Sequence, residues 1–314
     1  MNDARCGFAA LLGAPNAGKS TLLNALVGAK VSIVSRKAQT TRALVRGIVV
    51  DGSAQIVFVD TPGLFAPKRR LDRAMLASAW GAAGDADALA LLIDARQELL
   101  AAGKAGLAAP NAELSEPTRA ILKAVSESRA PKFLVLNKVD LVERASLLAL
   151  AAKFDAALKF DATFMVSAAT GDGLERLRAT LAAAMPPGPW LYPEDQIADA
   201  PMRSLAAEIT REKLFERLHD ELPYQTTVET ESWKDLPDGS ARIEQTIYVA
   251  RDSHKKIVIG EGGRTIKAIG AAARKDIAEA NETPVHLFLF VKVREGWLDD
   301  PERYRAMGLE FPKM

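Results

Sequence analysis

Short apolar runs alternate with longer stretches over the first 185 residues. The runs fall at 8–12, 43–50, 55–59, 88–93, 133–136 and 163–166. Each has the length of a buried strand, and the segments between them are long enough for helices, the first of them near 21–26. Strand–helix alternation predicts an α/β domain, a mainly parallel sheet with helices on both faces. The pattern breaks at Pro186-Pro187-Gly188-Pro189, with Pro193 and Pro201 following, so 186–201 reads as a Pro-rich linker between domains.

Beyond the linker the order of elements changes. Residues 202–222 carry a helical stripe that includes Leu205, Ile209 and Leu218. Residues 226–233 and 241–250 alternate apolar and polar positions around Pro237-Asp238-Gly239-Ser240, a hairpin signature. A short helix is expected at 255–259, a second at 264–280 with Ile266, Ile269, Ala273 and Ile277 on one face, and a closing strand at 285–293. The chain thus divides into an α/β domain over 1–185, an α+β domain over 202–296 and a C-terminal tail over 297–314. Residues 98–116, rich in Ala and Gly, read as a surface insertion with a partial helix and no assigned function.

Composition narrows the classes. A chain of 314 residues, 48% apolar, has ample material for two packed cores. Its net charge of +1 excludes a polycationic nucleic-acid binder, so RNA affinity would have to come from a local patch. The single cysteine, Cys6, permits no intrachain disulfide and fits a reducing, cytoplasmic compartment. The run at 8–12 leads straight into a glycine-rich loop and is read as a strand, not a signal peptide. No uncharged apolar stretch reaches membrane-spanning length. Peripheral contact with the inner membrane stays open. His219, His254 and His286 are scattered, which leaves no credible transition-metal site.

The candidate chemistry starts at Gly13-Ala14-Pro15-Asn16-Ala17-Gly18-Lys19-Ser20, followed by Thr21. This is a phosphate-binding loop of the form G-x-x-x-x-G-K-S/T. Its two glycines let consecutive N–H groups wrap an anion. Lys19 is placed to reach the β- and γ-phosphates, Ser20 to ligate Mg²⁺, and the helix N-terminus adds its dipole. Phe58-Val59-Asp60-Thr61-Pro62-Gly63, then Leu64, puts a carboxylate and a Pro-Gly turn at a strand end. There Asp60 can hold Mg²⁺ and the Gly63 N–H can sense a γ-phosphate. Asn137-Lys138-Val139-Asp140 follows another strand. Asp140 can accept from both N1–H and the 2-amino group of guanine, which adenine cannot offer, so the expected ligand is GTP or GDP. Lys138 would lie along the base, Asn137 would tie the segment to the phosphate loop, and Ser167-Ala168 would offer an N–H to the guanine carbonyl.

These motifs, in this order, resemble a translation-factor-type GTPase domain. Ser35-Arg36-Lys37-Ala38-Gln39-Thr40-Thr41-Arg42 would then be a switch, with Thr41 the first choice for the Mg²⁺ ligand and Thr40 the second. Leu64 stands where Ras-like proteins place a water-orienting Gln, so slow intrinsic hydrolysis is expected. In related GTPases an Asn at the position of Asn16 helps to hold K⁺.

In the second domain, Gly260-Glu261-Gly262-Gly263 separates two predicted helices. The element order and this G-x-x-G loop resemble a KH domain of the bacterial type, type II, in which glycines let RNA phosphates approach a helix N-terminus. Ile257, Val258 and Ile259 would form part of an apolar floor for bases. Between 251 and 275 there are seven basic residues, Lys255, Lys256, Arg264 and Lys267 among them, against Asp252 and Glu261. That local excess marks a phosphate-facing patch.

A GTPase domain followed by a KH domain resembles the Era family of bacterial ribosome-assembly GTPases. The switch sequence, Tyr192-Pro193-Glu194-Asp195-Gln196 and Ile257-Val258-Ile259-Gly260 carry the resemblance beyond the nucleotide motifs. It implies a monomer that binds the 3′ end of 16S ribosomal RNA and couples this to GTP during maturation of the 30S subunit. Residues 98–116 are longer than the resemblance leads one to expect. Two other readings remain: a nucleotide-gated binding module with negligible turnover, and a tRNA-modification GTPase, which would need a methyl-donor or cofactor domain and a reactive Cys.

Overall fold

The computed structural model describes residues 3–103 and 114–312. They form two compact units. The first takes in the chain up to Val31 and Thr41–Asp199; the second takes in Ser32–Thr40 and the chain from Ala200 onward.

In the first unit six strands carry the site: β1 (Arg5–Gly13), β2 (Val45–Asp51), β3 (Ala54–Asp60), β4 (Ala88–Asp94), β5 (Lys132–Asn137) and β6 (Ala162–Met165). They lie in the order β2-β3-β1-β4-β5-β6. Only β2 runs antiparallel, beside β3. Helices α1 (Lys19–Val27), α2 (Arg70–Asp85), α3 (Ala95–Gly103), α4 (Glu116–Ser126), α5 (Arg144–Ala157) and α6 (Leu174–Ala184) complete the unit. The two-residue period of β1 explains the layers. Ala9 and Leu11 enter one core with Phe58, Val135 and Leu177. Ala10 and Leu12 enter the other with Leu91, Leu134 and Phe154. A strand covered on both faces must be apolar throughout, as β3 and β4 nearly are. The expected α/β architecture is the one observed, and the motif loops follow the carboxyl ends of β1, β3, β5 and β6.

The structure bears on two expectations here. The Pro-rich stretch up to Asp199 belongs to the first unit and is no free tether. Gln55, fully buried on β3, donates to the Tyr192 carbonyl at 2.8 Å and accepts from the N–H groups of Leu191 and Tyr192 at 2.9 and 3.0 Å. Burial of the Gln55 amide requires such partners, and the linker backbone supplies them. Of the expected insertion at 98–116, the start continues α3 to Gly103, and residues 104–113 lie outside the described residues. Its two ends are joined by Glu98, which accepts from the Ser115 N–H at 2.6 Å and from the Thr118 hydroxyl at 2.9 Å.

The second unit contains α7 (Met202–Arg217), β7 (Thr226–Asp235), β8 (Ala241–Val249), α8 (Asp252–Ile259), α9 (Arg264–Ala280), β9 (Val285–Val293) and α10 (Pro301–Ala306). Its sheet has the order β7-β8-β9, with β7 antiparallel and β9 parallel to β8. Helix α7 stops short of residue 222 because Leu218 turns to extended backbone while its side chain stays in the core. Residues 297–312 are not a loose tail. Trp297 and Tyr304 are each 1% exposed, and the ring of Tyr304 meets Phe311 edge-on at 4.9 Å.

The segment Ser32–Thr40 packs inside this unit. Ile33 enters a core with Ala206, Ile209 and Ala273. Arg211 donates to the Thr40 carbonyl at 2.6 Å, Glu212 accepts from the Val34 N–H at 2.7 Å, and Lys37 donates to the Leu218 carbonyl. Lys213 joins Glu212 at 3.0 Å and Asp276 at 2.7 Å, linking α7 to α9.

Candidate functional site

The phosphate loop is shaped by backbone that only small residues tolerate. Gly13 has φ 147° and Gly18 φ 97°. A Cβ on Gly13 would lie 2.3 Å from the Leu92 carbonyl oxygen, and one on Gly18 would lie 2.3 Å from Asn137 Nδ2. Asn16, at the exposed crest, is also left-handed at φ 62°, a conformation Asn accepts more readily than most residues. Pro15 is fixed from the far side: a Cβ on Gly63 would approach it to 2.8 Å. Lys19 is buried, and its Nζ donates to the carbonyls of Gly13 and Ala14 at 3.0 Å each. Burial pulls its ammonium down from 10.5 to about 8, and the Asp60 carboxylate partly offsets this. An ammonium held in a loop of N–H groups is built for an anion of high charge.

Three oxygens converge beside it. Ser20 Oγ donates to Asp60 Oδ2 at 2.6 Å and lies 3.0 Å from Thr41 Oγ1. Thr41 Oγ1 lies 3.5 Å from the same carboxylate oxygen. A carboxylate and two hydroxyls form a hard, all-oxygen donor set of the kind Mg²⁺ takes. The Thr40 hydroxyl is committed elsewhere, 2.5 Å from Ser35 Oγ and 2.9 Å from the Lys37 carbonyl it donates to. Of the two threonines, it is the Thr41 hydroxyl that lies beside Ser20 and Asp60. Thr61 donates to the Leu11 carbonyl at 2.7 Å, which fastens the turn after β3 to β1. Leu64 is 2% exposed and packs in the core with Leu12 and Ala79.

The residues expected to recognise the base meet around Asn137. Its Nδ2 donates to the Ala17 carbonyl at 2.9 Å, and its Oδ1 accepts from the Ala168 N–H at 3.0 Å. Lys138, left-handed at φ 64°, donates to the Asn16 carbonyl at 2.8 Å and pairs with Asp94 at 2.5 Å. Val139 N–H reaches the Val166 carbonyl at 3.3 Å. Asp140 stands exposed, open to a base, while Ser167 is buried and accepts from the Thr170 N–H at 3.2 Å. Asp94 escaped the sequence reading. Its signal was its place as the acid that ends β4, matching Asp60 at the end of β3.

The G-x-x-G loop of the second unit turns through left-handed φ at Gly260, Gly262 and Gly263. The glycines differ in purpose. A Cβ on Gly260 would lie 2.2 Å from Thr265 Oγ1, so Gly260 is required by packing rather than by access. A Cβ on Gly262 would meet nothing within 4 Å, so that face of the loop is open. Glu261 pairs with Arg264, both well exposed. Of the expected apolar floor, Ile257 is 55% exposed and Ile259 half-buried. Val258 is the correction: it is fully buried among Leu214, Ile247 and Ile269, because a helix sends its neighbours about 100° apart, and it cannot touch a base.

The chain matches two family models, "50S ribosome-binding GTPase" over residues 8–138 and "KH domain" over residues 221–298. It is 64% identical over 312 residues to the GTPase Era of Afipia carboxidovorans, covering 99% of this chain and 96% of that one. Identity to the GTPase Era of Rhizobium meliloti is 61% over 309 residues, covering 98% and 94%. A crystal structure of Era in complex with MgGDPNP and nucleotides 1506–1542 of 16S ribosomal RNA aligns with a TM-score of 0.87 at 34% identity, over 97% of this chain and 99% of that one. An Aquifex aeolicus Era variant bound to GDP·AlF4⁻ aligns with a TM-score of 0.86, also at 34% identity and over the same shares of the two chains. Relatives this similar over nearly the whole length of both partners leave one assignment, and the chain belongs to the Era family of GTPases, with a GTPase domain followed by a KH domain.

Proposed function

We propose that this GTPase is a GTP-gated RNA clamp that holds the 3′ end of 16S ribosomal RNA and assists maturation of the 30S subunit. The observation that carries the reading is the pairing of a complete nucleotide site with an open, basic G-x-x-G loop in a chain of this family. The Era neighbour seen with MgGDPNP and 16S nucleotides 1506–1542 supports it.

The residues divide the work. Gly13, Ala14, Pro15, Ala17, Gly18 and Thr21 shape or flank the loop that binds the phosphates. Lys19 would exchange its two carbonyl partners for β- and γ-phosphate oxygens. Ser20, Thr41 and Asp60 would hold Mg²⁺, which supplies charge neutralisation on the phosphates. Gly63 would offer its N–H to the γ-phosphate, with Pro62 fixing the turn. Asp140 would select guanine, and the Ala168 N–H would reach the guanine carbonyl only by sharing or leaving its bond to Asn137 Oδ1. Leu64, buried, has no means of orienting water, so intrinsic hydrolysis would be slow. Asn16 offers a neutral amide oxygen at the loop crest, a suitable donor for K⁺; hydrolysis equally potassium-sensitive in Asn16→Ala would refute that role. Lys255, Lys256, Arg264 and Lys267 would meet RNA phosphates, with Ile257 and Ile259 beneath the bases. We take the working form to be a monomer in the cytoplasm. Among the described residues no helix is long and apolar enough to cross a membrane, so a vesicle flotation assay addresses peripheral contact only.

The test is binding of a short single-stranded RNA copying the 16S 3′ end, with protein loaded with GDP or a non-hydrolysable GTP analogue. Gly262→Asp is the control: a side chain there meets open space, Asp bears the strain of the left-handed φ 59° better than most residues, and it adds a negative charge. Tighter binding with the analogue, lost in the control, is expected. Equal or absent binding in both states would overturn the gating.

A further inference from the structure

The sheet of the second unit has a second face. Its inner face, with Ile243, Ile247 and Val249 of β8 and Leu287, Leu289, Val291 and Val293 of β9, packs into the core beneath the helices. Strand alternation sends Arg242, Glu244, Thr246 and Tyr248 of β8, and His286, Phe288, Phe290 and Lys292 of β9, to the opposite side. The parallel register sets Arg242 beside His286, Glu244 beside Phe288, Thr246 beside Phe290 and Tyr248 beside Lys292. One end of this face is covered: Arg303 of α10 lies 5.0 Å over the Tyr248 ring and pairs with Glu229. The other end is not. Phe288 is 42% exposed and Phe290 50% exposed.

Two solvent-facing phenylalanines at i and i+2 on a strand at the edge of a sheet are an aggregation liability, and edge strands ordinarily carry charge instead. Their chemistry points to what covers them. The Arg242 guanidinium stacks 4.5 Å over the Phe288 ring and is held in its plane by Glu244, with bonds of 2.9 and 3.3 Å. Beside the rings stand Arg242, His286 and Lys292, with Lys234 one strand further; of the acids on this face, Glu244 is held by Arg242, Glu229 by Arg303, and Glu231 accepts from the Tyr248 hydroxyl at 3.0 Å. Aromatic faces interleaved with guanidinium and ammonium groups on a sheet are a stacking platform for unpaired bases, with cations for the phosphates. Length argues the same way, if this chain takes the RNA proposed above. The Era neighbour holds a stretch of 37 nucleotides, 1506–1542. A G-x-x-G groove grips about four.

We propose that Phe288 and Phe290, with Arg242 and Lys292, form a second single-stranded RNA site, on the side of the sheet away from the G-x-x-G loop, where two bases stack. The inference rests on the RNA-binding reading and is separable from it.

The experiment compares two RNAs on the full chain loaded with a non-hydrolysable GTP analogue: a hexanucleotide from the 16S 3′ end, and the 37-nucleotide stretch 1506–1542. Fluorescence anisotropy is read for wild type, a Phe288→Ala/Phe290→Ala double variant, a Phe288→Tyr/Phe290→Tyr double variant and Gly262→Asp. Base–aromatic stacking of about 1–3 kcal/mol per base, for two bases, predicts that the alanine variant binds the long RNA at least about 30-fold more weakly. It should bind the hexanucleotide as wild type does. The tyrosine variant, which keeps the rings, should restore long-RNA binding, and Gly262→Asp should lose the hexanucleotide. Unchanged long-RNA affinity in the alanine variant overturns the site, and points to a protein or lipid partner if binding to 30S subunits or vesicles falls instead. Equal weakening for both RNAs also overturns it, since the change would then act through the fold. If wild type binds neither RNA, the RNA-binding reading itself fails.

Discussion

Asn137 donates from its Nδ2 to the Ala17 carbonyl at 2.9 Å, and this one bond joins the end of β5 to the phosphate loop. The same side chain accepts from the Ala168 N–H after β6. Asn137 is 1% exposed, so removing its amide leaves a buried carbonyl and a buried N–H without partners. Each orphaned group costs about 1–3 kcal/mol. Asn137→Ala should therefore weaken GDP binding by about 30-fold or more, mainly through faster release, as read by stopped-flow with a fluorescent GDP. Release at the wild-type rate would show that the loops hold together without this tie.

Asp140 is exposed, and Asn is its neutral isostere. Asp140→Asn should leave the melting temperature unchanged while reducing guanine nucleotide affinity by about two orders of magnitude or more. The amide can donate to the 2-oxo group of xanthine, so xanthosine diphosphate should become the better ligand. Competition between the two diphosphates on the variant decides the matter; undiminished preference for guanine would remove Asp140 from base recognition.

Much of this architecture was legible in the chain because local signals agreed with one another. Strand period, turn glycines and motif spacing all located the ends of β1, β3, β5 and β6. What stayed hidden depends on contacts between residues far apart in sequence. Gln55 gives no local hint that it pins Tyr192, and nothing around Thr40 announces Arg211 as the donor to its carbonyl. Asp94 was hidden for the opposite reason: an acid ending an apolar strand is ordinary until Lys138 is seen against it. Val258 was misplaced because its neighbours Ile257 and Ile259 are equally apolar, and only helix phase tells which of the three turns inward.

Arg211 fastens the segment Ser32–Thr40 within the second unit through the Thr40 carbonyl. A charged hydrogen bond of this kind contributes about 1.5–3 kcal/mol. Arg211→Leu should let the segment open more often, so tryptic cleavage after Arg36 should quicken by about tenfold or more. Cleavage is followed on the nucleotide-free chain at a temperature well below its melting point. An unchanged cleavage rate would mean that Ile33 and Glu212 hold the segment unaided.

Lys19 gives nucleotide binding a proton signature. Its ammonium is lowered to about 8 by burial. At pH 8.5 about a quarter of the free protein would carry this charge. Phosphate oxygens around Nζ favour the charged form and raise its pKa, so binding must take up a proton, approaching about three-quarters of one at that pH. The linked effect on folding has the matching sign. The folded state binds fewer protons than the unfolded chain between about 8 and 10.5, so this group's contribution to stability rises with pH across that window. Calorimetry of GDP binding in buffers of different ionisation enthalpy should show the uptake at pH 8.5 and its disappearance at pH 6.5. No uptake at the higher pH would place Lys19 away from the phosphates.

Leu64 follows Gly63 at the point where a water-orienting glutamine would be the obvious engineering choice. Its side chain is 2% exposed and packs with Leu12 and Ala79, and its N–H donates to the Gly13 carbonyl at 3.0 Å. A glutamine there would bury its amide in an apolar core, at about 1–3 kcal/mol, instead of meeting water beside the γ-phosphate. Leu64→Gln should thus lower the melting temperature by about 2–10 °C and leave the hydrolysis rate unchanged or reduced. The two readings are taken on the same preparation, by thermal melt and by phosphate release. Faster hydrolysis at an unchanged melting temperature would show that position 64 faces the nucleotide when GTP is bound, and that the packing described for it is left behind in that state.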